Sequence, residues 1–169
     1  MNSFRSLAAA VWIAAIVAPA VAQQKAPVET RLEARKVDVA ADGKESFSPA
    51  EAAKPGDVLE YTATYRNTTD SPIRNLEATL PIPPQTELVA GSIRPANAKA
   101  SLDAIRFADM PLKRKAIKDG REVEEAVALS EYRALRWYPG ALAPNQLLTF
   151  TARVRVIDDR SPATKGGGK

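Results

Sequence analysis

The sequence predicts an all-β fold, an antiparallel β-sandwich in a single domain. Runs of alternating apolar and polar side chains recur along the chain, Pro and Gly punctuate them, and little of it carries convincing helical periodicity. Six to eight short strands fit that pattern, with a closed barrel as the alternative.

The first strand is expected from Leu32 to Val39, followed by a polar turn, AADGKES, from Ala40 to Ser46. The clearest early alternation runs from Leu59 to Tyr65, where Leu, Tyr, Ala and Tyr occupy one face and Glu60, Thr62, Thr64 and Arg66 the other. Pro55-Gly56-Asp57 supplies the turn before it, and the stretch from Asn67 to Pro72 the turn after it. Leu76, Ala78, Leu80 and Ile82 form the next apolar face. Pro81, Pro83 and Pro84 cannot donate ladder bonds, which puts that strand at an edge or takes it out of the sheet there.

Leu88 to Ile93 reads as a short strand broken by Gly91, and Ile105 with Phe107 as another. Asp119-Gly120 signals a two-residue hairpin turn. Strict closure would set Lys118 opposite Arg121, so a looser tip is expected. From Arg121 to Trp137 both periods fit. The glutamates favour an irregular or helical piece at Glu122 to Ala126, followed by a strand from Leu129 to Trp137. Leu148 to Val156 closes the series with the most regular alternation of all.

The N-terminus reads as a signal peptide over residues 1–22: Arg5 precedes an apolar run from Leu7 to Val21 that ends in Ala20-Val21-Ala22. Cleavage after Ala22 would leave a short extension at 23–28, the sandwich at 29–158 and a flexible tail at 159–169. With no cysteine in the chain, neither lipid attachment nor a disulfide is available, so the core alone must hold the domain. An exported protein is expected, periplasmic or secreted, without an integral membrane segment after cleavage. The formal charge of +4 falls to +3 without Arg5, too small an excess for a nucleic-acid partner.

Two stretches carry a resemblance: KPGDVLEYTATYRNTTDSPIRNLEATLPIP from Lys54 to Pro83, and RWYPGALAPNQLLTFTARVRV from Arg136 to Val156. They resemble the bacterial conserved-repeat domain of unknown function number eleven, an immunoglobulin-like module of exported proteins. The matching positions are Pro55, Gly56, Asp57, Tyr61, Asn67, Leu80 and Pro81, then Leu142, Ala143 and Pro144. The stretch from Ala96 to Leu129 is unmatched, Asn145 stands where the family usually has Gly, and the module is single rather than in tandem. The resemblance implies an immunoglobulin-like sandwich and no catalytic residues.

The absence of His and Cys excludes Ser-His-Asp and Cys-His catalysis and the usual zinc sites. Adjacent carboxylates such as Glu124-Glu125 would diverge on a strand rather than face each other across a cleft. Asp42 and Glu45 alone fall short of a calcium loop. No catalytic, cofactor or metal residue is therefore expected. Lys113, Arg114, Lys115, Lys118 and Arg121 form a candidate contact surface, five cations in nine residues. Trp137 is expected in the core, while Tyr138, beside Pro139-Gly140, is a candidate for contact with a sugar or a protein. These features suggest a non-catalytic module that binds another envelope protein or envelope polymer. A small carbohydrate-binding module is the alternative.

Overall fold

The structure, a computed structural model, describes residues 26–158. The signal peptide expected at 1–22 and the tail expected at 159–169 lie outside them. Ten strands follow in order: β1 (Val28–Val39), β2 (Glu45–Pro49), β3 (Val58–Asn67), β4 (Ile73–Pro81), β5 (Thr86–Leu88), β6 (Lys99–Ser101), β7 (Lys113–Lys118), β8 (Arg121–Ala126), β9 (Ala134–Leu142) and β10 (Leu147–Val156). Single 3-10 turns occupy Ala50–Ala52 and Leu129–Glu131, and the described residues hold no α-helix.

Pairing is antiparallel throughout. One sheet has the order β2-β1-β3-β10-β5, a second β4-β9-β6, and β7-β8 stands apart as a two-stranded ribbon. The first two sheets face each other across one core. Period-two alternation drives this, sending Leu59, Ala63 and Tyr65 of β3 and Phe150, Ala152 and Val154 of β10 inward against Leu76, Ala78 and Leu80 of β4 and Leu135 and Trp137 of β9. Trp137 is only 1% exposed, tilts against Phe150 at a centroid distance of 4.8 Å, and donates its indole N–H to the Pro95 carbonyl at 2.7 Å. The expected core position of Trp137 is what the fold gives it. Asn67, fully buried, ties the sheets together by donating from Nδ2 to the Leu142 carbonyl at 3.0 Å.

Several elements differ from the sequence reading. β2 begins inside the stretch read as a turn, because Ala40 and Lys44 already close the hairpin and release Glu45 to pair with Val39. β5 ends at Leu88, since the turn at Gly91, φ 72°, interrupts the ladder with β10 until Arg94 bridges Thr151. Ile105 and Phe107 make no strand: Asp103 accepts the Ile105 and Arg106 N–H groups and turns the chain, leaving Ile105 78% exposed. Leu129 starts a 3-10 turn, and β9 begins only at Ala134. β4, as Pro81 requires, is an edge strand.

Candidate functional site

The sequence Lys118-Asp119-Gly120-Arg121 closes the β7–β8 hairpin tightly. Asp119 at φ 52° and Gly120 at φ 73° take the two left-handed positions of the favoured two-residue turn. Lys118 does pair with Arg121, so the looser tip expected from their repulsion does not form. Turn chemistry wins because Lys118 finds a carboxylate elsewhere, Glu125 at 3.2 Å.

The same pairing overturns the irregular or helical reading of Glu122 to Ala126. The helix preference of glutamate amounts to tenths of a kcal/mol per residue, and here a basic strand lies alongside. Lys115 meets Glu122 at 2.7 Å, Lys113 meets Glu124 at 3.4 Å, and Arg114 meets Glu125 at 3.1 Å and Glu131 at 2.8 Å. Arg114, then Lys118, holds the Glu125 carboxyl below its usual range. Of the five cations, Arg121 alone enters no ion pair among the described residues. The hairpin therefore presents a lattice of opposite charges, with Ile117 81% exposed near its tip.

Tyr138 lies on a different sheet. It sits within β9, at a bulge where the register against β4 jumps from Trp137 opposite Ala78 to Gly140 opposite Leu76. The bulge, with Gly140 at φ 82°, turns Trp137 inward and leaves Tyr138 49% exposed. The neighbouring arginines are engaged. Arg136 binds Glu77 at 2.7 Å and lies 3.9 Å over the Phe107 ring, and Arg133 donates to the Ser130 and Tyr132 carbonyls.

One feature escaped the sequence reading: a half-open apolar cleft of about 310 Å³ beside β5, walled by Leu88, Ile93, Met110, Leu129 and Tyr132. Among the described residues, Arg94 is the only charged one in its lining. Gly91, which breaks the Leu88 to Ile93 alternation, was the signal available for it. Among the described residues no three His, Cys, Asp or Glu side chains gather where a metal could be held.

Comparison with family models, curated proteins and solved structures found no match for this chain.

Proposed function

We propose that this chain is a non-catalytic, exported module of the bacterial cell envelope, an immunoglobulin-like sandwich behind a signal peptide, that holds or bridges another protein. The β7–β8 ribbon supports this reading. Neither strand has a second neighbour among the described residues, so each offers an open backbone edge, the geometry to which an extended segment adds. Two-residue closure makes Lys118 and Arg121 a hydrogen-bonded pair, and the alternation from there turns the N–H and C=O groups of Lys113, Lys115 and Ile117 outward on β7, and those of Glu122, Glu124 and Ala126 outward on β8. The Val127 N–H bonding the Leu112 carbonyl at 2.9 Å agrees with that phase.

Lys115→Pro and Glu124→Pro each remove an outward donor without touching the internal ladder. The test is retention of a defined protein from envelope extract, with the hairpin's amide signals checked by NMR. Loss of retention in either proline variant with the hairpin intact supports edge addition; unchanged retention in both sinks it.

A second reading, a small carbohydrate- or envelope-polymer-binding module, draws on the exposure of Tyr138. It requires glycan-array binding that Tyr138→Ala abolishes.

A further inference from the structure

We infer that the cleft beside β5 is a binding site for a short aliphatic carboxylate, whose chain lies among Leu88, Ile93, Met110, Leu129 and Tyr132 and whose head sits on Arg94. This stands independently of the hairpin. Arg94 is held from two directions. Its backbone exchanges reciprocal 2.8 Å hydrogen bonds with Thr151, and its Nη1 donates to the carbonyls of Gly91 at 2.7 Å and Ile93 at 2.8 Å. The indole of Trp137 secures the next residue by its bond to the Pro95 carbonyl.

A long, flexible cation is thus fixed in place before anything binds, which removes much of the ordering cost of capturing an anion. Arg114, Arg136 and Arg153 each meet a carboxylate of this chain, whereas Arg94 enters no ion pair among the described residues. With Nη1 occupied, Nε and Nη2 remain as two parallel donors, a fork that matches the two oxygens of a carboxylate.

Size and polarity define the rest of the ligand. A volume of about 310 Å³ lies at the small end of ligand clefts and equals roughly ten waters of liquid, close to the non-hydrogen atoms of a six- to eight-carbon carboxylate. Tyr132 is fully buried, and its hydroxyl accepts the Leu112 N–H at 2.8 Å.

Calorimetric titration of the purified chain with straight-chain carboxylates from butanoate to dodecanoate tests the site. Affinity should rise about fourfold per added methylene and level off near octanoate, where the cleft is full. Octanoate should bind at least tenfold tighter than octanol, and octylammonium more weakly than either. Arg94→Gln should erase the preference for octanoate over octanol while leaving octanol binding unchanged, and Arg94→Lys should restore part of it. Leu129→Trp, which fills the cleft, should abolish binding of both. The site is refuted by an absence of saturable octanoate binding below its micelle onset, by affinity that climbs steadily through dodecanoate, or by an unaltered preference in a folded Arg94→Gln variant. Should that variant not fold, octanoate binding retained by Leu129→Trp refutes it equally.

Discussion

The hydroxyl of Tyr65 engages both backbone groups of Thr79, accepting its N–H at 2.8 Å and donating to its carbonyl at 2.8 Å. Tyr65 belongs to β3, in one sheet, and Thr79 to the open edge of β4, in the other. A sheet edge ordinarily shows such groups to any passing strand. Here a core side chain occupies them, Pro81 offers no N–H, and Asn75 at φ 55° interrupts the register nearby. The edge of β4 is thereby closed to strand addition. Tyr65→Phe keeps the ring, edge-on to Phe150 at 5.9 Å, and removes only the hydroxyl. A loss of about 1–3 kcal/mol in denaturant-derived stability is expected, together with concentration-dependent self-association by size-exclusion chromatography. Wild-type stability in the variant would show that the bridge contributes nothing.

Asn67 saturates its side chain. Nδ2 donates to Ser71 and Leu142 carbonyls at 2.8 and 3.0 Å, while Oδ1 accepts the Thr69 N–H at 2.9 Å and the Thr69 hydroxyl at 2.7 Å. Because the residue is fully buried, Asn67→Ala leaves the buried Leu142 carbonyl without its donor and releases the Thr69 and Ser71 contacts of the turn, and should cost about 1–3 kcal/mol, the range for one orphaned buried group. Asn67→Asp should be at least as damaging, since it replaces a double donor with a buried charge that keeps only the Thr69 contacts. Equal melting temperatures for Asn67→Asp and the wild type would refute this account.

Long alternating runs were legible because burial on one face leaves a direct trace in sequence. β3, β4 and β10 and the inward Trp137 could all be read from it. Short elements were not, because three residues such as Lys99–Ser101 carry no period of their own and exist through pairing with β9. β8 was misread because Glu propensity is local, whereas the cations that override it lie across the strand. The cation cluster was visible, as were Glu122, Glu124 and Glu125 beside it to offset the field, but which carboxylate meets which cation depended on a register that sequence does not supply. The apolar cleft was least legible of all, for its walls come from β5, the loop after it, the Met110 region and the 3-10 turn at Leu129.

At the hairpin tip, Lys118 and Arg121 remain the one directly opposed like-charge pair flanking the turn. Arg121→Glu replaces repulsion with attraction and should stabilise the ribbon by about 0.2–1 kcal/mol. Hydrogen exchange at the Ala116 and Val123 amides, which bond within the ladder, reads this locally. Protection should rise in the variant at low salt, and the gain should shrink in about 1 M salt, where the screening length is about 3 Å. A gain independent of salt would place its origin outside electrostatics.

Asp103 gives the loop after β6 its dependence on acid. Its carboxylate accepts the Arg106 N–H at 2.8 Å, the Ile105 N–H at 2.9 Å, the Ser101 hydroxyl at 2.9 Å and the Arg106 guanidinium at 2.9 Å. The Arg106 N–H above all, followed by the other three, holds the carboxyl far below the ordinary aspartate range. A folded-state value depressed below the unfolded one of about 3.9 means that the ionised group stabilises the loop at any higher pH. That contribution falls away only as acid titrates the carboxyl between its ordinary and its lowered value. The loop should therefore stay closed at pH 4 to 5, about where a free aspartate begins to protonate, and open in stronger acid. Amide chemical shifts of Ile105 and Arg106 followed against pH should show a midpoint below the ordinary value, and Asp103→Asn should abolish the transition. A midpoint at or above that value would mean that the four donors do not act on the carboxylate in solution.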